Sequence, residues 1–531
     1  MRPTTIKQVG KMTSQAALPS STTTLTRSAL PVIFPKYAGR TAKSEATMKD
    51  LIEKDGQNHH IFTSNNIFHN HLTHHVLSAW SLGASSSLLK HIYDINATEL
   101  VPLQPLDRQK ALISRGIKVR VDVPEITESN WTEYLGIADA YAAYLAFFLA
   151  QTKSLGMKDT LSSYVFGHEA NFGKEGTDAS KRPVMLVRLM AGAVHPFIQT
   201  GFGAEFAFIG PLLFAEGLAE AAVHSVKSVQ PIFPSDWPEV PLSEHGGDGA
   251  AENVSVLEAY KRLVDDENVV QGDYDPDKMI STRMTDVIKN GNAPLIRKLV
   301  SQWTASQPDL SSKKKGNASE AWVERKMDEV MVFAAFIACA TGKLGEEPKI
   351  DFFLMHILTS SLFLPSFIPL LSAPNQIKLL ETYLAAAFQL CMSRGLPKID
   401  GRIPWNRTQW PVRPGNKIGR GREGNGWNEI LEEALYVPDS HTVKSIRSLF
   451  YLSTKLGTSP AGSLPGSSLS SSLKSQRQDG EEETFPGMGS VDGSIFIRMA
   501  GLIMDYMKWN GPEAESASWD RSALGWDEAW K

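Results

Sequence analysis

From Phe352 to Ile377 the chain runs for 26 residues without an Asp, Glu, Lys or Arg. A stretch of that length and character either crosses a bilayer or is buried in a large protein interior. Pro365, Pro369 and Pro374 interrupt it, and His356 with the Thr359-Ser360-Ser361 run adds polar groups that lipid would leave unsatisfied. The expectation is a buried, proline-broken helix pair, not a membrane span. Hiding it takes a large core, and 531 residues with 42% hydrophobic content supply one, in one big domain or two lobes.

The remaining apolar patterns are helical. Trp131 to Gln151 is apolar nearly all round and reads as a core helix. Further helical patterns occupy Val254–Leu263, Met284–Lys289, Pro294–Trp303, Ala321–Thr341, Gln376–Ser393, Asn428–Leu435, Val443–Lys455 and Ile495–Lys508. No convincing set of alternating strands and no repeat of 20 to 50 residues is visible. The fold class expected is all-α or mostly α: a large multi-helix domain with broken helices around a central pocket.

Residues 1–44 contain no Asp or Glu, many Ser and Thr, and scattered Arg and Lys, the composition of a disordered tail or of a mitochondrial transit peptide. The start lacks the apolar segment of a secretory signal, so a cytoplasmic protein is expected, with mitochondrial targeting by residues 1–44 as the alternative. The catalytic domain is expected over 45–458. A Ser/Gly-rich disordered insertion follows over 459–492, and a C-terminal helix and tail of the same domain over 493–531. Two cysteines, Cys339 and Cys391, exclude a disulfide framework and a four-cysteine zinc site. A net charge of −4 offers no electrostatic argument for nucleic acid or membrane surfaces as partners.

Six of the 13 histidines fall between His59 and His75. With a helix from about Phe68, His71, His74 and His75 project within roughly 100° of one another, and His69 points the other way with Leu72, Val76 and Trp80. Imidazoles in such a cluster suit proton abstraction, metal ligation or pH sensing. A second informative region is 184–227. Pro196 disfavours helical geometry at His195, so a helix is expected to stop near Val194. Gly201 and Gly203 then permit a non-helical passage. Pro211 suits the start of a new helix carrying Glu216, Glu220 and His224 at i, i+4 and i+8.

Gly419 to Gly424 satisfies G-x-G-x-x-G, but the Pro-rich residues before it cannot be a central strand, so it is a decoy. No Walker A loop and no G-x-S-x-G elbow is present. A non-haem iron site is the competing enzyme reading, drawn from His71, His75, His195 and one of Glu205, Glu216 or Glu220. No H-E-x-x-H sequence or E-x-x-H pair supports it. His356, on the uncharged stretch, reads as a satisfied core residue or a pocket residue.

Several collinear stretches resemble the questin oxidase-like family of fungal secondary metabolism. They are Phe68-His69-Asn70-His71, His74-His75, Ser81-Leu82-Gly83-Ala84-Ser85, Asn130-Trp131 with Leu135-Gly136, and the run from His195-Pro196 through Ile198, Gly201-Phe202-Gly203 and Glu205-Phe206. Glu216-Gly217-Leu218-Ala219 and Arg394-Gly395-Leu396-Pro397 complete the set. The resemblance spans roughly 55 to 455. It implies an oxygenase that cleaves an anthraquinone-like aromatic polyketide by Baeyer–Villiger-type oxygen insertion, including in aflatoxin-type pathways. Dioxygen would be the oxidant and NADPH the associated reductant, with no tightly bound cofactor or metal. The family often has a second histidine where this chain has Gln199.

Such a reaction makes the substrate the electron donor once it is deprotonated, and asks the protein for a base, oxyanion donors and a dry pocket. On this reading His71, His74 or His75 is the base, and His195 and Asn70 hold developing oxyanions. Trp80, Phe202 and Phe206 sandwich a flat substrate, with Gln199, Glu205 and His356 completing its surroundings. The non-enzymatic alternative is a helical polyketide-binding protein.

Overall fold

The computed structural model describes residues 38–63, 68–103, 123–242, 254–305, 317–413, 424–469, 483–510 and 518–531. Among them there is no strand; four isolated bridges are the β-type pairings. The main helices are α1 (Ala42–Asn58), α2 (Leu72–Ser81), α3 (Ser86–Ala97), α4 (Tyr141–Tyr164), α5 (Ala191–Glu205) and α6 (Leu212–Val223). After them come α7 (Val256–Asp265), α8 (Ile280–Lys289), α9 (Ala293–Thr304), α10 (Asn317–Cys339) and α11 (Phe352–Ser361). The last four are α12 (Ala373–Ser393), α13 (Gly426–Ala434), α14 (Ser440–Leu456) and α15 (Ile495–Tyr506). The mostly α expectation is met.

The charge-free stretch is the interior of this assembly. It forms α11 and then short turns at Leu364–Phe367 and Ile368–Leu370, each with a proline in its first turn. Its apolar window is 78% buried inside the protein. Helix α11 packs between α10, α5 and α14, while α2 touches both α5 and α14. Helices α2, α5, α11 and α14 therefore close a ring, each touching the next.

Several boundaries differ from expectation for identifiable reasons. Trp131 to Gly136 is a turn, because Gly136 adopts φ +82° and donates its N–H to Ala222 O at 2.8 Å; the core helix begins at Tyr141 and bends at Gly156. Gly201 and Gly203 do not break a helix: both lie inside α5. A Cβ on Gly201 would stand 2.4 Å from the Phe363 ring, and one on Gly203 would stand 2.3 Å from Phe214 N. They are small so that α5 can touch its neighbours. The break lies earlier, at Gly192, Ala193 and Val194, all in the left-handed region. That conformation is strained for alanine and more so for β-branched valine.

Within the stretch expected to be disordered, Leu464, Phe485, Met488 and Val491 are buried. Residues 470–482, the Lys313-Lys314-Lys315 turn and nearly all of the Gly419–Gly424 decoy lie outside the described residues.

Candidate active site

The four helices of the ring each bring one histidine to the same point. His71 is the N-cap of α2 and His195 begins the regular part of α5. His356 lies mid-way along α11, and His441 is in the first turn of α14. The Nε2 atoms of His71 and His195 are 2.8 Å apart. Ring centroids of His195 and His356 are 4.7 Å apart, those of His356 and His441 5.1 Å, and those of His71 and His441 4.6 Å. One ring nitrogen from each of His71, His356 and His441 lies within 4.8 Å of the others.

Local structure aims each ring. His195 donates from Nδ1 to Gly192 O at 2.5 Å, which the left-handed turn makes possible. His356 donates from Nδ1 to Phe352 O at 2.7 Å, and His441 from Nδ1 to the Asp439 carboxylate at 3.2 Å. These bonds fix the tautomer and leave Nε2 with its lone pair on all three. The Nε2 atoms of His356 and His441 are buried without a hydrogen-bond partner among the described residues. Histidine held at Nδ1 by a carbonyl or carboxylate, with Nε2 free and convergent, is the arrangement of metal-ligating imidazoles. Two nitrogens at 2.0–2.1 Å from one ion and at right angles to each other stand about 2.9 Å apart, close to the His71–His195 separation. His71, His356 and His441 fit a divalent transition metal as a set, with His195, 2.8 Å from His71, the candidate fourth ligand.

Electrostatics agree. Burial, and next the charge of Lys444, hold His71, His74 and His195 well below the ordinary imidazole range. For His356 burial is followed by His195, and His441 is lowered by burial and Lys444 against the pull of Asp439. Neutral imidazoles are good ligands and weak bases. Lys444 itself, one turn after His441, is buried with no hydrogen-bond partner among the described residues, and burial brings its pKa down to about 7.

The other expected residues divide. His74 donates from Nε2 to Gln199 Oε1 at 2.6 Å, and Gln199 donates to Glu216 Oε2 at 2.6 Å. Gln199 is thus a bridge behind the site. Phe202 stacks on His74 at 4.8 Å and reaches Phe206, which with Trp80 forms a packing layer farther out.

Four expectations need correction. His69 joins the cluster, stacked on His195 at 3.9 Å, because the helix starts at Leu72 and His69 never enters the helical wheel. His75 is on the wheel but turns toward α14, where Asp439 and Lys444 act on it; burial lowers its pKa to about 4. Asn70 is no oxyanion donor: its Oδ1 accepts from Leu72 N, capping α2, and its Nδ2 donates to Asp55. Of the carboxylates considered as ligands, Glu205 pairs with Arg447 and Glu216 accepts from Gln199, while Glu220 Oε1 lies 3.3 Å from His69 Nε2 with no hydrogen-bond partner among the described residues.

Among the described residues the four rings pack against one another, and His71 alone of them is partly exposed. Surface cavities of about 550, 250 and 320 Å³ lie elsewhere, at Glu125–Ser129 with α4, at Phe172 with Trp237, and at His168 with Glu239. His441, Asp439 and Lys444 escaped sequence reading. They lie more than 360 residues from His71 and carry no periodic signal; the one local cue is an aspartate two residues before a histidine at a helix start.

The described residues make a mostly α protein with four histidines converging in its interior, and its named relatives are oxidases and oxidoreductases. Residues 68–449 match the questin oxidase-like family, and the chain is a member of that family. It is 28% identical over 414 residues to the Baeyer-Villiger oxidase ptaJ of Pestalotiopsis fici, covering 76% of this chain and 80% of that protein. It is 24% identical over 507 residues to the questin oxidase of Aspergillus terreus, covering 94% and 96%. To the oxidoreductase AflY of Aspergillus parasiticus it is 24% identical over 420 residues, covering 78% and 74%.

Proposed function

We propose that this chain is an oxygenase that opens a ring of an anthraquinone-like aromatic polyketide by Baeyer–Villiger-type oxygen insertion, with a redox-active divalent metal held by His71, His195, His356 and His441. Iron(II) is the first candidate, since imidazole suits it and dioxygen chemistry needs an ion that changes oxidation state. The observation carrying the reading is the convergence of ring nitrogens from His71, His356 and His441, with Nδ1 of His195, His356 and His441 tied and Nε2 of His356 and His441 without a hydrogen-bond partner among the described residues. The names of the relatives, Baeyer-Villiger oxidase and questin oxidase, support the reaction class.

The atoms balance without an added reductant when the substrate enters at the hydroquinone level. It gives up two electrons and two protons; one oxygen atom enters between the ring carbonyl carbon and its neighbour to give a lactone, the other leaves as water, and addition of a second water across the lactone's acyl C–O bond opens the ring. A substrate at the quinone level needs the electron pair from NADPH. An ion held by these histidines would supply redox chemistry toward dioxygen. The chain supplies the rest. Lys444, an amine with pKa about 7 beside the rings, takes the phenolic proton, a better match to neutral pH than the depressed histidines. His71, at the exposed edge, marks where substrate approaches. His74, fixed through Gln199 and Glu216, and Phe202 form the floor behind the ligands.

The test is oxygen uptake by metal-stripped protein with a reduced anthraquinone, before and after iron(II) is returned. Uptake matched by ring-opened product only after iron is added supports the proposal. Undiminished turnover in the presence of chelator would overturn it in favour of metal-free catalysis by the histidines or Lys444. Ligand binding with no uptake under either condition would argue for a binding role.

A further inference from the structure

The family match ends at residue 449, yet the last described segment, 518–531, is laced to two of the four histidine-bearing helices at their N-termini. Asp439 is the joint on the α14 side. Its Oδ1 accepts from His441 N, Thr442 N and Thr442 Oγ1, capping the helix, and from the Trp519 indole Nε1 at 2.9 Å. Its Oδ2 accepts from His441 Nδ1. On the α11 side Asp520 pairs with the backbone around Asp351: Phe352 N donates to Asp520 O at 2.7 Å, and Asp520 N donates to Ile350 O at 2.9 Å. Asp351 in turn caps α11 and binds Arg394, whose Nη2 donates to Arg521 O.

A carboxylate with two oxygens can rotate about its terminal bond. Four donors on Oδ1 remove that freedom, three from the first turn of α14 and one, the indole, from outside the helix. With Oδ1 pinned, Oδ2 has one place to be, opposite His441 Nδ1, and the His441 ring is held with Nε2 toward His71 and His356. Trp519 is buried and its indole N–H is committed to Asp439. We infer that the C-terminal segment is part of the active centre, with Trp519 a positioning residue that sets the His441 ring through Asp439. This rests on the proposed reading of the histidines as metal ligands.

The experiment uses the full chain, stripped of metal and titrated with cobalt(II) without oxygen, reading the visible bands of the bound ion and its affinity. The wild-type chain is expected to give a spectrum that His441→Ala alters. Trp519→Phe, which keeps a ring and loses the N–H, should shift those bands and weaken binding about ten- to a hundredfold, the usual consequence of losing a ligand's supporting partner. Trp519→His, which restores a ring N–H, should recover part of it. Tyr506→Phe is the structural control: it removes the bond to Ser518 O on the same segment and should change neither readout. An unchanged spectrum and affinity in Trp519→Phe, or an equal loss in Tyr506→Phe, overturns the inference. A wild-type chain that binds no cobalt defeats the metal reading itself, and this inference with it.

Discussion

The Nε2 atoms of His71 and His195 lie 2.8 Å apart across 124 residues of sequence, each at the start of its own helix. Helix starts can be aimed by the preceding turn, and both are: Asn70 caps α2, and the left-handed run Gly192–Val194 turns the chain so that His195 bonds back to Gly192 O. If these rings are ligands, His71→Ala and His195→Ala should each reduce kcat by more than about a hundredfold, exceeding the loss from a supporting residue such as Trp519. Metal content should fall in parallel.

Lys444 has a separable role. Lys444→Met removes the amine and keeps the apolar stem, so metal binding should persist. The rate at neutral pH should fall about a hundredfold, the lower end of what a positioned base contributes. Steady-state oxygen uptake alongside metal analysis distinguishes this from loss of a ligand.

The Gln199 bridge is expected to matter for stability. Gln199→Leu leaves His74 Nε2 and Glu216 Oε2 without their present partner in a dry interior, at a cost of about 1–3 kcal/mol for each orphaned group. Chemical denaturation should register it.

These residues divide by how far the sequence could reach them. The helices were legible because apolar periodicity is local, and the charge-free stretch at α11 announced a large interior. His71, His74 and His195 could be nominated from clustering and from the proline at 196. Their true geometry could not: a wheel drawn from Phe68 misplaces His69, because the helix begins four residues later. His441 and Lys444 were invisible for a different reason. They reach the centre through packing of α14 on α2 and α11, a relation between distant segments that no local pattern encodes.

Close packing around α5 makes its glycines sensitive. Gly203→Ala would drive a Cβ into the Phe214 backbone, which cannot swing aside as a side chain can. A loss of about 1–3 kcal/mol is expected, readable as a lower midpoint of thermal unfolding.

Glu381 gives a pH dependence away from the site. It is buried, accepts from Thr304 Oγ1 at 2.6 Å, and burial raises its pKa from 4.5 to about 7. The folded chain therefore holds this proton more tightly than the unfolded chain. Its contribution is full below pH 4.5 and is lost as pH rises to about 7, amounting to roughly 3 kcal/mol. Glu381→Gln should flatten that part of the stability profile while leaving acid stability near that of the wild-type chain.

Anaerobic calorimetric titration of the metal-stripped chain with iron(II) asks whether imidazoles from four helices bind one ion. One equivalent should bind to the wild-type chain, with binding abolished or greatly weakened in His356→Ala and His441→Ala. No uptake of iron by a folded wild-type chain that still consumes oxygen with substrate would contradict the metal reading.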